Sequence, residues 1–441
     1  MTNRVDPLTR RRLLVGLGAT VLGPVVPSMA TAQSRNGLTL HARPGAISLR
    51  PGGPDTAIWS LGLEVRIGKT DSSSSADALK MTLSNELPTA TVLNWYGIDG
   101  FSDAEPLTAR APLATGSSET FQIPQRQAGT FLYDLRLLGD GQERPSRPRF
   151  LTIGEKETVT VDRDDVVLIE DWRLRPDGSA IAPGTDPKDT TPLFTANGRV
   201  SLSIATRANE RLRLRFINAC QRNGIALKIE DHDVRVMAID SQPCEPFLAR
   251  NGQLVLAPGT RIDAFVDAAR PPGSTSSILL HDGTEPRPLA RLVYSNDAPV
   301  RDAPLPAAAA LPSNGLPAQL DLKNALRVDV TLGKAIVDWV TPATFVKASA
   351  PAFRAKPGRT VVLALTNRAD APNVFHLHGH HFRLLDRLDD GWKPFWLDTL
   401  AIEAGQTQRI AFAAEHAGHW LIESMATDWA APRLVRWYSV E

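Results

Sequence analysis

Four of the nine histidines of this 441-residue chain lie within six residues, in the sequence His376-Leu377-His378-Gly379-His380-His381. In an extended strand, side chains two residues apart project from the same face, so we expect His376, His378 and His380 to point the same way. Neutral imidazole is the commonest nitrogen ligand for copper, zinc and iron in proteins. The spacing therefore indicates a metal site on one face of a strand, provided that other segments supply the remaining ligands.

An internal repeat indicates which elements position these histidines. One strand-like segment ends at Asn85 and leads to Asn94-Trp95-Tyr96-Gly97. Another ends at Asn367 and leads, at the same spacing, to His376-Leu377-His378-Gly379. A middle copy runs from Leu212 to Asn218. Between the frequent prolines and glycines lie short runs in which apolar and polar residues alternate. Together with the three repeat copies, these runs predict an all-β chain of three similar domains.

The N-terminus predicts an export signal. The segment Thr9-Arg10-Arg11-Arg12-Leu13-Leu14 resembles a twin-arginine motif, an apolar stretch follows up to Val26, and Ala30-Thr31-Ala32 offers a cleavage site. The apolar stretch is shorter than the ~20 residues that a spanning helix needs. We therefore expect residues 1–32 to be a twin-arginine signal peptide, the mature protein to lie in a bacterial periplasm, and the mature chain to have no transmembrane segment.

The net charge indicates which partners the chain can bind, and the two cysteines raise the question of a disulfide. The chain has a formal net charge of +1, and residues 1–32 carry four arginines and one aspartate, which leaves the mature chain slightly acidic. No basic field for nucleic acid remains, so we expect no nucleic-acid partner. The two cysteines, Cys220 and Cys244, enter an oxidising compartment, where a disulfide and two buried free thiols are equally compatible with the sequence.

Taken together, these segments resemble the multicopper oxidase family. The resemblance rests on the three repeats and on Leu168-Ile169-Glu170-Asp171-Trp172, Asn197-Gly198-Arg199 and Pro258-Gly259-Thr260-Arg261-Ile262-Asp263. It implies an all-β fold of three cupredoxin-like Greek-key domains, each a β-sandwich or barrel. We expect the domains at residues 33–155, 156–300 and 319–441, with a Pro/Ala-rich linker at 301–318.

The resemblance also locates the copper motifs, and this chain departs from most of them. The first-domain motif that normally contains two histidines is Asn94-Trp95-Tyr96-Gly97, and the second first-domain pair corresponds to Asp134 and Arg136. In the third domain, His376 and His378 keep two ligand positions. The resemblance implies eight imidazoles for the three-copper cluster, of which two remain.

This sequence also departs from the family's motif for the mononuclear copper site. Asn373 stands where the first histidine ligand is expected. The C-terminal motif keeps its frame in Gly418-His419-Trp420-Leu421-Ile422, but Glu423, Ser424, Met425 and Trp429 stand at the ligand positions that follow. Leu434 falls at the axial position, where the family permits leucine. A blue copper site needs a thiolate, and both cysteines lie in the middle domain.

We therefore predict no catalytic residue, no cofactor and no four-electron reduction of oxygen. A vestigial site is expected at the interface of the first and third domains, and its members are Asn94, Tyr96, Asp134, Arg136, His376, His378, Glu423 and Met425. Arg136 is expected to pair with Asp134 or Glu423. The alternative is a single copper or other divalent metal ion held by His376, His378 and one of those two carboxylates.

Three functions are compatible with these observations. The first is a non-enzymatic scaffold or stabiliser in cell division or the envelope, with protein partners in the periplasm or the divisome, as the copper-free branch of the family implies. The second is a mononuclear metal-binding protein or oxidoreductase. The third is a periplasmic module that binds a small ligand in the former substrate pocket. We expect His380 and His381 to support the site or lie at the surface, His416 and His419 to face solvent, and Asp71-Ser72-Ser73-Ser74-Ser75 to be a flexible connection.

Overall fold

A computed structural model of the protein describes residues 37–62, 65–69, 79–124, 127–333, 338–386, 391 and 393–441. The predicted signal peptide and the polar run 71–75 lie outside these residues. Twenty-eight strands and four short 3-10 helices form the described part, which contains no α-helix. The 3-10 helices are Ser102–Ala104, Arg136–Leu138, Arg250–Gly252 and Pro342–Thr344. The predicted all-β class is confirmed.

The first domain consists of two four-stranded sheets. One has the order β2-β1-β4-β6 and the other the order β3-β8-β7-β5. The strands are β1 (Leu38–Ile47), β2 (Thr56–Leu61), β3 (Val65–Lys69), β4 (Leu79–Asn85), β5 (Asn94–Tyr96), β6 (Ser118–Ile123), β7 (Gly129–Asp134) and β8 (Arg149–Gly154).

The middle domain consists of a six-stranded and a five-stranded sheet. Their orders are β10-β9-β12-β17-β14-β15 and β11-β19-β18-β13-β16. The strands are β9 (Arg163–Leu174), β10 (Thr191–Ala196), β11 (Leu202–Thr206), β12 (Arg211–Asn218), β13 (Ile225–Ile229), β14 (Val234–Ile239), β15 (Gln242–Leu248), β16 (Gln253–Leu256), β17 (Arg261–Asp267), β18 (Thr275–His281) and β19 (Arg287–Tyr294).

The third domain consists of a four-stranded and a five-stranded sheet. Their orders are β20-β22-β26-β24 and β21-β28-β27-β23-β25. The strands are β20 (Leu326–Leu332), β21 (Arg354–Ala355), β22 (Thr360–Asn367), β23 (Asn373–Leu377), β24 (Arg383–Leu384), β25 (Thr399–Ile402), β26 (Thr407–Ala413), β27 (Gly418–Ala426) and β28 (Arg433–Val440).

The sequence repeat corresponds to the same strand arrangement in all three domains. The repeat strands β4, β12 and β22 each pair in parallel with the first strand of their domain and antiparallel with β6, β17 and β26, respectively. Each repeat strand ends in a fully buried asparagine, Asn85, Asn218 or Asn367. Its amide donates to two backbone carbonyl oxygens, and its oxygen accepts the backbone N–H two residues later. The repeated asparagine therefore fixes the loop after the strand in the same way each time.

Alternating burial within the strands places one apolar face of each sheet in the interior. β4 has the pattern of buried Met81, Leu83 and Asn85 between less buried neighbours, whereas β12 and β7 are buried along their whole length. Strands that are buried on both faces lie where sheets or domains meet. Most of the residues predicted for the site lie in buried stretches of strands: Asn94 and Tyr96 on β5, Asp134 on β7, His376 on β23, and Glu423 and Met425 on β27.

Candidate functional site

The histidine run begins within a strand and continues beyond its end: His376 lies in β23, whereas His378, His380 and His381 follow it. β23 ends at Leu377, and Gly379 has a φ of 74°, in the left-handed region. Trp420 fills the space beside Gly379, and its ring would lie 2.2 Å from a Cβ added at that glycine. The rings of His376 and His378 still lie together, with centroids 4.7 Å apart. The expectation that His380 shares their direction is wrong, because the turn at Gly379 redirects the chain.

His378 lies between two carboxylates from different domains. Its Nδ1 is 2.7 Å from Glu105 of the first domain, and its Nε2 is 2.8 Å from Glu423 of β27. Burial alone would lower the pKa of His378, but the charges and hydrogen bonds of both glutamates raise it to about 10. At neutral pH the ring is therefore an imidazolium that donates both N–H groups.

His376 is neutral, and one of its nitrogens has no partner. Its Nδ1 donates to the backbone oxygen of Asp398 at 3.1 Å, which leaves a lone pair on Nε2. That Nε2 atom is buried without a hydrogen bond. Burial, followed by the charge on His378, lowers the pKa of His376 to about 4. The ring also stacks on Tyr96, with centroids 4.3 Å apart.

Glu423 collects three donors in the interior. It accepts from Asn94 at 3.0 Å, from His378 at 2.8 Å, and from Arg433 of the neighbouring strand β28. Burial would raise the pKa of Glu423, but the Arg433 charge and the His378 hydrogen bond and charge hold it well below its usual range. Arg433 also donates to the hydroxyl of Tyr96 at 3.3 Å. The carboxylate is thus ionised and hydrogen-bonded to three donors.

Asp134, Arg136 and Met425 lie at the edge of this network. Arg136 donates its backbone N–H to Asp134, but the two charged groups are 3.9 Å apart, and the guanidinium donates instead to the backbone oxygen of Ala219 at 2.6 Å. Burial raises the pKa of Asp134. The sulfur of Met425 lies 3.1 Å from a guanidinium nitrogen of Arg222. Arg136 therefore pairs weakly with Asp134, and the strong partner of Glu423 is Arg433.

The positions expected to hold the mononuclear copper contact each other or the neighbouring backbone. Ser424 donates to the side-chain oxygen of Asn373 at 2.9 Å. The indole N–H of Trp429 donates to the backbone oxygen of Ala182 at 3.2 Å. Cys220 and Cys244 are both free and buried, and burial raises the pKa of both thiols.

The other histidines of the third domain are either buried or half-buried. His380 and His381 are each about 3% exposed, so neither lies at the surface. His380 accepts at Nε2 from the backbone N–H of His416 and bonds through Nδ1 to Tyr438 at 2.7 Å. His416 and His419 are half-buried rather than open to solvent.

Sequence reasoning missed Glu105 and Arg433, which supply a negative and a positive charge to the network. Glu105 follows a 3-10 helix of the first domain, in a segment without a copper motif. Arg433 lies beside Leu434, at the expected axial position, and its side chain reaches Glu423 because Arg433 pairs with Met425 across β27 and β28. The spacing of Arg433 from Glu423 could have signalled a diagonal cross-strand contact.

The chain matches the multicopper oxidase family over residues 156–286 and again over residues 319–441. The protein belongs to the multicopper oxidase family.

Individual relatives agree with this assignment. Multicopper oxidase MmcO of Mycobacterium tuberculosis is 22% identical, over 92% of this chain and 88% of that protein. A laccase of Trametes maxima is 23% identical over 75% of this chain and 78% of its own. Among solved structures, a multi-copper oxidase from Pseudomonas thermotolerans has a TM-score of 0.76 at 24% identity, covering 91% of this chain and 98% of that one. Similarity at this level shows the shared fold.

The prediction of no cofactor is corrected by these findings. The relatives are named as multicopper oxidases and laccases, so copper is the cofactor that the family implies. In the described part of the chain, one group of histidine and carboxylate side chains, His376, His378 and Glu423, presents ligand atoms within 4.8 Å of one another.

The described residues do not fit a three-copper cluster. Both nitrogens of His378 already bond to carboxylates, and Arg433 and Arg136 add buried cations to the same region. Cationic guanidinium groups cannot ligate a metal and would repel one in a site of low dielectric. Nε2 of His376 is the ring nitrogen of this group without a hydrogen-bond partner, so a single metal ion would be held by that nitrogen and an oxygen of Glu423.

The described residues include no helix that is long and apolar enough to cross a membrane.

Proposed function

We propose that this protein is a multicopper oxidase relative that has lost most of its copper ligands and works as a non-enzymatic scaffold or stabiliser of the cell envelope, as in the copper-free FtsP/SufI branch that the sequence resembles. Its partners are then other proteins of the periplasm or the division machinery. The twin-arginine segment at 10–12 supports export of the folded chain.

One observation carries this proposal: a buried ion-pair network lies where the family places its copper cluster. Glu423 bonds to Asn94, His378 and Arg433, and His378 also bonds to Glu105. Buried charges that are paired and hydrogen-bonded are stable as they are, whereas removing one partner is strongly unfavourable. The network thus performs a structural role where the family places its reaction centre.

The test is complementation of a deletion strain under envelope stress, scored for chains of undivided cells. The variant His376→Phe removes the unpartnered imidazole nitrogen and leaves the ion pairs of His378 and Glu423 in place, and the proposal expects it to complement when it is exported at the normal level. A variant that is folded and exported but fails to complement would contradict the scaffold role. His281→Phe, at an exposed position, controls for the loss of one histidine elsewhere.

A second candidate function is a protein with one bound copper ion. The observation that favours it is the unpartnered Nε2 of the fully buried His376, close to Glu423 and His378. His376 would supply a neutral imidazole and Glu423 an oxygen, a donor set that suits a divalent transition metal. The ion would supply redox chemistry, while Tyr96 would hold the imidazole in place by stacking.

Equilibrium dialysis against Cu(II), with elemental analysis and electron paramagnetic resonance, tests the second candidate. It expects one tightly held copper per wild-type chain and none in His376→Phe, which keeps the stacked ring but removes the donor. His281→Phe, at an exposed position of the middle domain, is the control. Equal copper binding by wild type and His376→Phe would refute this site.

A further inference from the structure

One hairpin turn of the middle domain contacts the other two domains and the linker. β14 and β15 are joined by Asp240 and Ser241, and Ile239 pairs with Gln242 across the turn. Both turn residues have positive φ, 48° and 69°, and both are buried. A two-residue turn of this type normally uses Asn-Gly, since a left-handed Asp or Ser costs about 1 kcal/mol or more. Such strain persists only where the surroundings hold the residue in place.

Asp240 forms hydrogen bonds to the third domain. Its carboxylate accepts the backbone N–H groups of Asp398 at 3.2 Å and Thr399 at 3.4 Å, and its backbone oxygen lies 2.6 Å from Nε2 of His381. The other nitrogen of His381 lies 2.7 Å from Asp99 of the first domain. The imidazole ring of His381, a residue of the third domain, thus bonds to both the first and the middle domain.

Ser241 forms a hydrogen bond to the first domain. Its hydroxyl donates to the backbone oxygen of Thr130 in β7. Two glycines allow this approach: a Cβ on Gly97 would lie 2.4 Å from the Ser241 hydroxyl, and one on Gly129 would lie 2.7 Å from its backbone oxygen. Arg261, next to the turn, donates to the Thr130 oxygen at 3.3 Å and forms a two-pronged ion pair with Asp398 at 2.9 and 2.7 Å.

The linker also contacts the place where Ser241 meets the first domain. The side chain of Asn314 donates to the backbone oxygens of Ser241 at 3.0 Å and Ala128 at 2.9 Å. Its oxygen accepts the backbone N–H of Ala128 at 3.1 Å. Upstream, Arg211 of the middle domain donates to the backbone oxygens of Leu305 and Pro306. The Pro/Ala-rich segment is therefore docked on the first two domains and is not a free spacer.

We propose that the turn Asp240–Ser241, with His381 and Asn314, is a latch that locks the three domains into one body. Opening the latch would loosen the contact between the middle and third domains at Asp398 and Thr399, while the bonds of His378 to Glu105 and of Glu423 to Asn94 would remain. Each domain would keep its own sheets, because the latch contacts are made between domains. This inference is independent of whether the protein acts as a scaffold or binds copper.

Hydrogen exchange of backbone amides tests the latch directly. The N–H groups of Asp398 and Thr399 bond across the domain boundary to Asp240, whereas those of β12 bond within the middle domain. We expect His381→Gln and Asn314→Ala to speed exchange at 398–399 by about tenfold, which corresponds to the loss of one or two hydrogen bonds. Exchange in β12 should not change.

Matched variants lie away from the junction. They are His281→Gln in the middle domain and Asn324→Ala in the third, and both should leave exchange at 398–399 as in wild type. The milder Asn314→Ala decides the question if His381→Gln does not fold. Unchanged exchange at 398–399 in Asn314→Ala, or an equal increase in β12, would overturn the latch.

Discussion

Arg433 donates to Glu423 in the interior of the third domain, at the centre of the region where the family places a copper cluster. The two residues lie on adjacent strands, and both are less than 5% exposed. An arginine and a glutamate in direct contact neutralise each other and fill space with protein atoms. The pair therefore keeps one positive and one negative charge in direct contact in the interior.

Replacing Arg433 with methionine should destabilise the protein strongly. The change leaves Glu423 without its cation in a buried position, which costs about 3–5 kcal/mol of unfolding free energy. Urea unfolding followed by far-UV circular dichroism measures the loss, and adding Glu423→Gln should recover part of it. Arg354→Met, at the exposed pair with Glu441, is the control and should leave the midpoint unchanged. Similar midpoints for Arg433→Met and wild type would contradict the network.

The fold could be predicted from the sequence to a large extent, because its signals are local and repeated. The asparagines at 85, 218 and 367 end equivalent strands, and their spacing to a glycine is the same in the first and third domains. Alternation along the strands then indicates which face is buried. Such signals survive because every copy must make the same turn and the same loop contacts.

The site could be predicted only in part, because its partners depend on register and on domain packing. His376 and His378 adjoin Glu423 as their motif positions suggested, but Glu105 comes from another domain and Arg433 from a strand without a ligand motif. The direction of His380 depends on a single left-handed glycine, Gly379. Long-range contacts of this kind have no period in the sequence.

Gly379→Ala should destabilise the protein more than Gly358→Ala. Both glycines have a φ between 70° and 80°, so both variants carry a backbone cost of about 1 kcal/mol. An added Cβ at 379 would also overlap the Trp420 ring at 2.2 Å, whereas nothing lies within 4 Å of one at 358. We expect about 1–3 kcal/mol of additional loss at 379, measured by urea unfolding. Equal losses at the two positions would show that Trp420 moves aside without cost.

The contribution of His381 to stability should disappear at alkaline pH. Burial alone would lower the pKa of His381, but Asp99 and Asp398 raise it to about 9 against the opposing charge of Arg261. Because this pKa is above the ordinary 6.5, the contribution is complete below about pH 6.5 and is lost as the pH rises through 9.

The corresponding measurement is the difference in unfolding free energy between wild type and His381→Gln from pH 6 to pH 10. This difference should fall by about 3 kcal/mol over that range. Using the difference cancels the titration of other groups, including His378. A difference that stays constant with pH would show that His381 is not charged in the folded protein.

Oxygen uptake by the copper-loaded protein tests the central claim, that the ion-pair network around Glu423 has replaced the oxidase centre. The mature protein should be expressed with copper, freed of loose metal, and assayed with a phenol, with Fe(II) and with Cu(I), beside a laccase as the positive control. We expect no uptake above that of His376→Phe, and no intense blue absorption from copper–thiolate ligation. Copper-dependent uptake that is present in wild type and absent in His376→Phe would contradict the central claim.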